Sequence, residues 1–252
     1  MMKIDLLAFA AHPDDVELSA SGTLLLHKAQ GKTTGIIDLT RGELGSRGNM
    51  DLRSEEAQNA SAILGIDVRE NLGMADGFFE INEASLLKVI EVIRKYRPEI
   101  VLAPALSDRH PDHSRAAELV SRACFLSGLV KIESQFGGGA QSAWRPKAVY
   151  HYIQDRIEDY DLVIDITPYW EKKMESILAY SSQFHTGKDS SGEPQTPISS
   201  KEFMEYLKAK AIAFGRPIQV MYAEAFKVER TPGVHSLFDR SEERRVGKEC
   251  RS

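Results

Sequence analysis

Ile4-Asp5-Leu6-Leu7-Ala8-Phe9-Ala10-Ala11 is apolar except at Asp5, and it stops at His12-Pro13-Asp14-Asp15. A continuous apolar run of this length predicts a strand buried on both faces, as in a parallel sheet. In open α/β sheets the ligand site lies just beyond the carboxyl ends of the strands. The run therefore delivers one histidine and two carboxylates to the place where such a fold keeps its chemistry. A second apolar run, Ile100 to Ala105, leads into Arg109-His110-Pro111-Asp112-His113, a second polar cluster in an equivalent position.

Outward from these two stretches, strand-like and helix-like segments alternate. Leu24, Leu25, Leu26 and Ala29 mark a helix over residues 19–30, with Gly31 as its stop. Residues 34–39 read as a strand, 40–48 as a glycine-rich loop and 53–64 as a helix ended by Gly65. A short strand is expected over 70–74. Asn82 caps a helix over 83–96, and Pro98 prevents its continuation. Residues 114–126 carry a helical stripe. Residues 131–144, with Gly137-Gly138-Gly139, read as a mobile surface loop. Strands are expected over 148–153 and 162–166, and Thr167-Pro168 as N-cap and first-turn proline of a helix to about Tyr180. Ser199-Ser200-Lys201-Glu202 reads as a capping box for a helix to Phe214, and residues 219–228 as a last strand. This alternation predicts an α/β fold: one Rossmann-like, doubly wound, mostly parallel sheet with helices on both faces, over residues 1–239.

Composition narrows the function classes. The 252 residues are 42% hydrophobic and 27% charged, with a net charge of −5. That gives no general attraction to nucleic acid or to an acidic membrane. No apolar run approaches the ~20 residues that span a bilayer, and no secretory signal pattern opens the chain. Cys124 lies in a helical pattern as a buried thiol. Without a disulfide frame a reducing, cytoplasmic setting is expected. Arg240 to Ser252 is a polar block with no periodicity that resembles translated sequencing-adapter sequence. It is read as an artefact and set aside, together with Cys250. It carries five basic and three acidic residues, so without it the charge of the chain moves from −5 to −7.

The two polar clusters suit a hydrolytic metal site. Catalytic zinc takes three protein ligands and leaves one position for water. A turn at Pro13 brings His12 and Asp15 to one point, and His113 completes the set from the neighbouring strand end. Metal lowers the pKa of bound water from ~15.7 to about 7. Asp14 is left beside the ion to hold that water and take its proton. His110, if protonated, stabilises the oxyanion or protonates the leaving amine, with Asp112 fixing its ring and raising its pKa.

Ala11-His12-Pro13-Asp14-Asp15 and His110-Pro111-Asp112-His113 resemble the paired signatures of the LmbE-like zinc N-deacetylases. That family acts on N-acetylglucosaminyl conjugates of inositol, phosphatidylinositol and malate. The resemblance extends over residues 1 to about 239. Gly42-Glu43-Leu44-Gly45-Ser46-Arg47-Gly48, Arg53 with Glu55-Glu56-Ala57, Tyr180-Ser181-Ser182-Gln183-Phe184 and Tyr222-Ala223-Glu224-Ala225-Phe226 look like the bacillithiol-pathway branch, which removes acetate from N-acetylglucosaminyl malate. The resemblance implies His12, Asp15 and His113 as ligands of one zinc per subunit, Asp14 as general base and His110 as charge stabiliser. The implied partner is a small-molecule sugar conjugate, and a homo-oligomer is expected.

Other polar residues are substrate-binding candidates. The 42–48 loop matches neither dinucleotide nor P-loop spacing, so a sugar-contacting loop is the reading. Glu43 offers acceptors for sugar hydroxyls, and Arg47 or Arg53 offers a cation to order the acidic site. A plain surface role competes for each. Arg109 beside the catalytic histidine suits a carboxylate. Gln183 and His185 approach the site in this reading. His27, His151 and His235 have no partner cluster, and no tyrosine, Tyr152 included, is singled out as an acid.

Overall fold

In the computed structural model, residues 2–184 and 194–233 are described. The opening run forms β1 (Leu6–Ala10), buried at every position. The chain then passes through α1 (Asp15–Ser19) and α2 (Ser21–Ala29) into β2 (Thr34–Thr40), α3 (Met50–Leu64), β3 (Val68–Met74), α4 (Glu83–Tyr96), β4 (Ile100–Ala103) and α5 (Pro111–Leu126). A two-stranded ribbon follows, β5 (Gln135–Phe136) with β6 (Gly139–Ala140). It precedes β7 (Ala148–Tyr152), β8 (Leu162–Asp165), α6 (Trp170–Leu178), α7 (Lys201–Gly215) and β9 (Ala223–Val228).

The main sheet has strand order β3-β2-β1-β4-β7-β9-β8. From β3 to β7 every pairing is parallel; β9 runs antiparallel to both β7 and β8. The expected α/β, mostly parallel architecture is present. Strand order reverses between β1 and β4, because the chain first builds outward through β2 and β3 and then returns to the other side of β1. Such a switch point opens a crevice at the strands' carboxyl ends. Both polar clusters leave the sheet there.

Alternation along β1 builds two cores. Leu7 and Phe9 join Val89, Ile90, Ile93 and Val120 of α4 and α5 on one face. Leu6, Ala8 and Ala10 join Val16, Leu24 and Leu25 on the other. Each large side chain so buried is worth about 1.5–3 kcal/mol, and truncating Phe9 to alanine should cost about 3–5 kcal/mol. Caps set the helix limits. Asn49 accepts from the Leu52 amide and Asn82 from the Ser85 amide, while Gly65 ends α3 at φ 66°. Glu224 of β9 accepts from the Gly22 and Thr23 amides and the Thr23 hydroxyl at the start of α2. Lys173 neutralises it at 2.6 Å.

Several boundaries differ from the sequence reading. The two polar clusters are themselves helix starts: α1 begins at Asp15, and α5 begins at Pro111 with His110 as N-cap. Ser200, not Ser199, caps α7, because the Ser199 hydroxyl turns back to bond with Thr196. Thr167-Pro168 opens a single 3-10 turn before α6 rather than the helix itself. The stretch read as a mobile loop holds the β5–β6 ribbon and is tied to the core by the buried Arg94. Its guanidinium donates to the carbonyls of Ser127, Leu129 and Ile132 and to the Ser134 hydroxyl. The adapter-like residues 240–252 lie outside the described residues, as do His185 and His235.

Candidate active site

His12 follows β1, and its backbone amide donates to Asp15 Oδ2 at 2.8 Å, closing the turn at Pro13. The imidazole stands between two sets of carboxylates. Its Nδ1 is 3.6 Å from Asp15 Oδ2, and its Nε2 is 3.0 Å from Asp76 Oδ1 and 3.3 Å from Asp112 Oδ2. His113, in the first turn of α5, is arranged alike. Its Nε2 meets Asp15 Oδ1 at 3.1 Å and its Nδ1 meets Asp108 Oδ2 at 2.5 Å. Each imidazole thus turns one nitrogen toward Asp15 and has the other held by a carboxylate, the arrangement that orients metal-ligating histidines.

The charge balance supports the same reading. Asp14, Asp15, Asp76, Asp108 and Asp112 are all buried around this point. Burial disfavours the Asp15 carboxylate, but His113 and His12 hold it well below the usual carboxylate range. Burial likewise opposes protonation of the two imidazoles. The hydrogen bonds of Asp112, Asp15 and Asp76 nevertheless raise His12 well above its ordinary value, and Asp15 and Asp108 bring His113 to about 9. A site that draws protons onto two buried histidines has the charge and donors for a divalent cation, whose binding would release those protons. A ring nitrogen from each of His12, His110 and His113 also lies within 4.8 Å of the others, as do donor atoms of His12, Asp76 and Asp112. The carboxylates of the latter set are already engaged: Asp76 Oδ2 accepts from the Leu44 amide, Asp112 Oδ2, the oxygen facing His12, also accepts from the Gly77 amide, and Asp112 Oδ1 accepts from Arg115. That set therefore supports His12 from behind.

Asp14 sits at φ 120°, a strained conformation for a non-glycine residue. Its Oδ2 accepts from Arg53 Nη2 at 2.7 Å. Burial pushes its carboxyl up to about 6, against the opposing pull of the Arg53 guanidinium. Arg53 reaches Asp14 under the glycine-rich loop. A β-carbon on Gly42, at φ +65°, would lie 2.7 Å from Arg53 Nη1, and one on Gly45 would lie 3.0 Å from it. The glycines of the 42–48 loop make room for a guanidinium.

His110 departs from expectation. Its Nδ1 accepts from the Asp112 backbone amide at 3.2 Å, and burial lowers its pKa. The Asp112 carboxylate meets His12, Gly77 and Arg115 rather than the His110 ring. Asp112 does raise the His110 pKa, as expected, but burial and the neighbouring His12 and His113 outweigh it, and a helix N-terminal amide occupies Nδ1.

The cleft over these groups has a volume of about 310 Å³, at the small end of the ~300–1,000 Å³ typical of small-molecule sites. Arg109 lines it at the rim, its Nε donating to Asp155 Oδ2 at 2.8 Å. Gln183 lines it too, while its amide holds the Arg47 carbonyl and the Ser182 hydroxyl. Glu43 and Arg47 are not among the lining residues. Glu43 Oε1 accepts from the Asp76 amide, which fixes the 40–48 loop to the loop carrying Asp76. Arg47 donates to the carbonyls of Ser182 and Pro194. Glu56 accepts from the Ser181 hydroxyl and from the Ser182 amide and hydroxyl, which docks the Tyr180–Phe184 turn on α3. Tyr152 is buried with its hydroxyl on the Phe9 carbonyl, and His151 is spent between the Pro104 carbonyl and Glu229.

Three residues of the site escaped the sequence reading. Asp76 comes from the β3–α4 loop and has no neighbouring motif. Gln154, just past β7, donates to Asp15 Oδ1 at 3.1 Å. Its place at a strand's carboxyl end was the available signal. Asp108 stands two residues before His110, directly ahead of the second cluster.

Comparison with known proteins agrees with this geometry. The family model PIG-L, described as GlcNAc-PI de-N-acetylase, matches residues 7–124, which include both clusters. A 4-oxalmesaconate hydratase from Pseudomonas putida is 30% identical over 195 residues, 71% of this chain and 74% of that protein. The chain belongs to the PIG-L family. Structural likeness extends beyond the matched segment: the crystal structure of the conserved protein TT1542 from Thermus thermophilus has a TM-score of 0.82 and 35% identity. It covers 94% of this chain and 100% of that one. Diacetylchitobiose deacetylase from Thermococcus kodakarensis is 26% identical over 239 residues, 90% of this chain and 83% of that protein.

Proposed function

We propose that the protein is a zinc-dependent N-deacetylase that hydrolyses the acetamide of an N-acetylglucosamine conjugate, with N-acetylglucosaminyl malate as the preferred substrate. One observation carries the reading. His12, Asp15 and His113 converge, each imidazole braced by a carboxylate, with the Arg53-held Asp14 beside them in a sugar-sized cleft. His12, Asp15 and His113 hold the metal. When bound, zinc supplies Lewis acidity and lowers the pKa of water.

The chain's own groups do the rest. Arg53 occupies Asp14 Oδ2, which leaves Oδ1 to accept the proton of the attacking water. His110 presents its Nε2 proton to the developing oxyanion without carrying charge itself, a role in which a neutral imidazole at a helix N-terminus is effective. Asp14 then gives that proton on to the leaving amine. The malate preference rests on Arg109 at the rim and on the bacillithiol-type motifs.

The test is acetate release from a panel of N-acetylglucosamine conjugates, before and after chelation and after zinc is returned. Zinc-restored acetate release, fastest on the malate conjugate, is expected. Full turnover in protein shown metal-free by elemental analysis would refute the metal role. Among relatives, the Pseudomonas hydratase favours a second reading, addition of water to an unsaturated acid by the same activated-water site. Loss of substrate absorbance without acetate would identify it.

A further inference from the structure

The cleft holds a lysine that the proposed chemistry does not use. Lys210, on α7, lines the cleft while only 7% exposed. Among the described residues its one hydrogen-bond acceptor is the Gln154 carbonyl, and the Tyr206 ring centroid is 5.6 Å from its Nζ. An ammonium has three donors. Burying it with donors unspent is costly, and burial pulls its pKa down to about 8. Lys173 on α6 adds to that depression. Asp155, Asp108 and Glu224 offset it in part, but none accepts a hydrogen bond from it. Leu18, Phe203 and Leu207 share the cleft wall with it, and among the described residues none of the polar side chains on that wall, Ser19, Gln154 and Asp155 included, accepts a hydrogen bond from it.

Lys210 is placed with respect to a second cation. It is tied to the carbonyl of Gln154, whose side chain holds Asp15; Arg109 is tied to the carboxylate of the next residue, Asp155. Arg109 stands at the rim with its side chain 43% exposed, and Lys210 stands deeper, on the same cleft and across the same two-residue strap. We infer that Lys210 and Arg109 form a two-point subsite for a dicarboxylate, Lys210 taking the inner carboxylate and Arg109 the outer one. The inference rests on the proposed deacetylation in one respect: the dicarboxylate is then the aglycone of the sugar. Carboxylate oxygens supply the acceptors that the buried ammonium lacks, and charge-assisted bonds of this kind are about twice as strong as neutral ones.

Two measurements test the subsite, and the first needs no turnover. Binding of succinate and of uncharged succinamide to the zinc-loaded protein is followed by calorimetry in wild type and in Lys210→Met. Succinate should bind at least tenfold tighter than succinamide, and Lys210→Met should remove that preference. A wild type without preference, or a preference that survives the substitution because the carboxylate sits on the metal, would overturn the subsite. The second measurement is kcat/KM for N-acetylglucosaminyl malate divided by that for N-acetylglucosamine. This ratio should fall at least tenfold in Lys210→Met; an equal loss on both substrates would show that Lys210 only supports the strap. If Lys210→Met does not fold, Lys210→Gln keeps a donor for the Gln154 carbonyl and makes the same comparisons. The wild-type preference needs no variant. Succinate bound through Lys210 without acetate release would refute the deacetylase reading alone. Acetate release with an unchanged ratio would refute the subsite alone.

Discussion

Removing the buried Lys210 charge should alter stability in a pH-dependent way. In the folded protein the ammonium titrates at about 8, against 10.5 for the free side chain. The unfolded chain therefore binds the extra proton between these values, and wild-type stability rises with pH across that window. At roughly 1.36 kcal/mol per pKa unit, the burial penalty is about 3 kcal/mol near pH 7 and about 1.4 kcal/mol near pH 9.5. Lys210→Met lacks the titration and leaves the Gln154 carbonyl unpaired, a pH-independent loss of about 1–3 kcal/mol. Measured against the variant, wild type should therefore gain about 2 kcal/mol between pH 7 and pH 9.5. For a chain of this size that is about 4–8 °C in Tm. Thermal or urea unfolding of both proteins at the two pH values reads it directly. A difference that does not change with pH, or that changes in the opposite sense, would refute a buried, charge-penalised lysine.

Four further outcomes follow from the site. Asp14→Asn should retain zinc by elemental analysis but lose most of kcat, and near-native kcat would remove Asp14 as the base. His110→Ala should lower kcat by ~10²–10³ with zinc content unchanged, as for loss of one oxyanion donor; lost zinc would make it a ligand instead. Gln154→Ala should weaken zinc binding about 10–100-fold in a chelator competition, the usual effect of losing a group that orients a ligand, and unchanged affinity would refute that role. Gly42→Ala forces a β-carbon to within 2.7 Å of Arg53 Nη1 at φ +65°, so kcat should fall with zinc retained, and wild-type kinetics would show that the loop tolerates the displacement.

The parts of this protein that sequence makes legible are those with local signatures. The strand at β1, its polar terminus, and the second cluster after β4 each announce themselves within a dozen residues. Their convergence follows from the rule that sites lie at the strands' carboxyl ends. Pairings between distant segments carry no such mark. Asp112 looks like a partner for His110 because it is two residues away, but its carboxylate crosses to His12, a hundred residues earlier. Glu43 and Arg47 look like ligand-binding groups because they flank glycines, yet they are spent on the Asp76 amide and on the Ser182 and Pro194 carbonyls. Arg94 hides inside an otherwise ordinary helix stripe, and nothing near it signals the carbonyls it will gather from the following loop. Lys210 is similar: from sequence it is one more lysine on an amphipathic helix.

The position of β9 bears on how the chain reaches this state during synthesis. Among the described residues, the last strand in the chain, Ala223–Val228, is inserted between β7 and β8 rather than added at an edge. Until it emerges, β7 presents an open, unpaired border, and the first amides of α2 lack the Glu224 carboxylate that will cap them from two hundred residues downstream. A nascent chain stopped short of Ala223 would expose a sticky parallel sheet to its neighbours on the ribosome, a condition that favours aggregation. Chaperone dependence and truncation-induced insolubility should therefore concentrate in the stretch that carries β9.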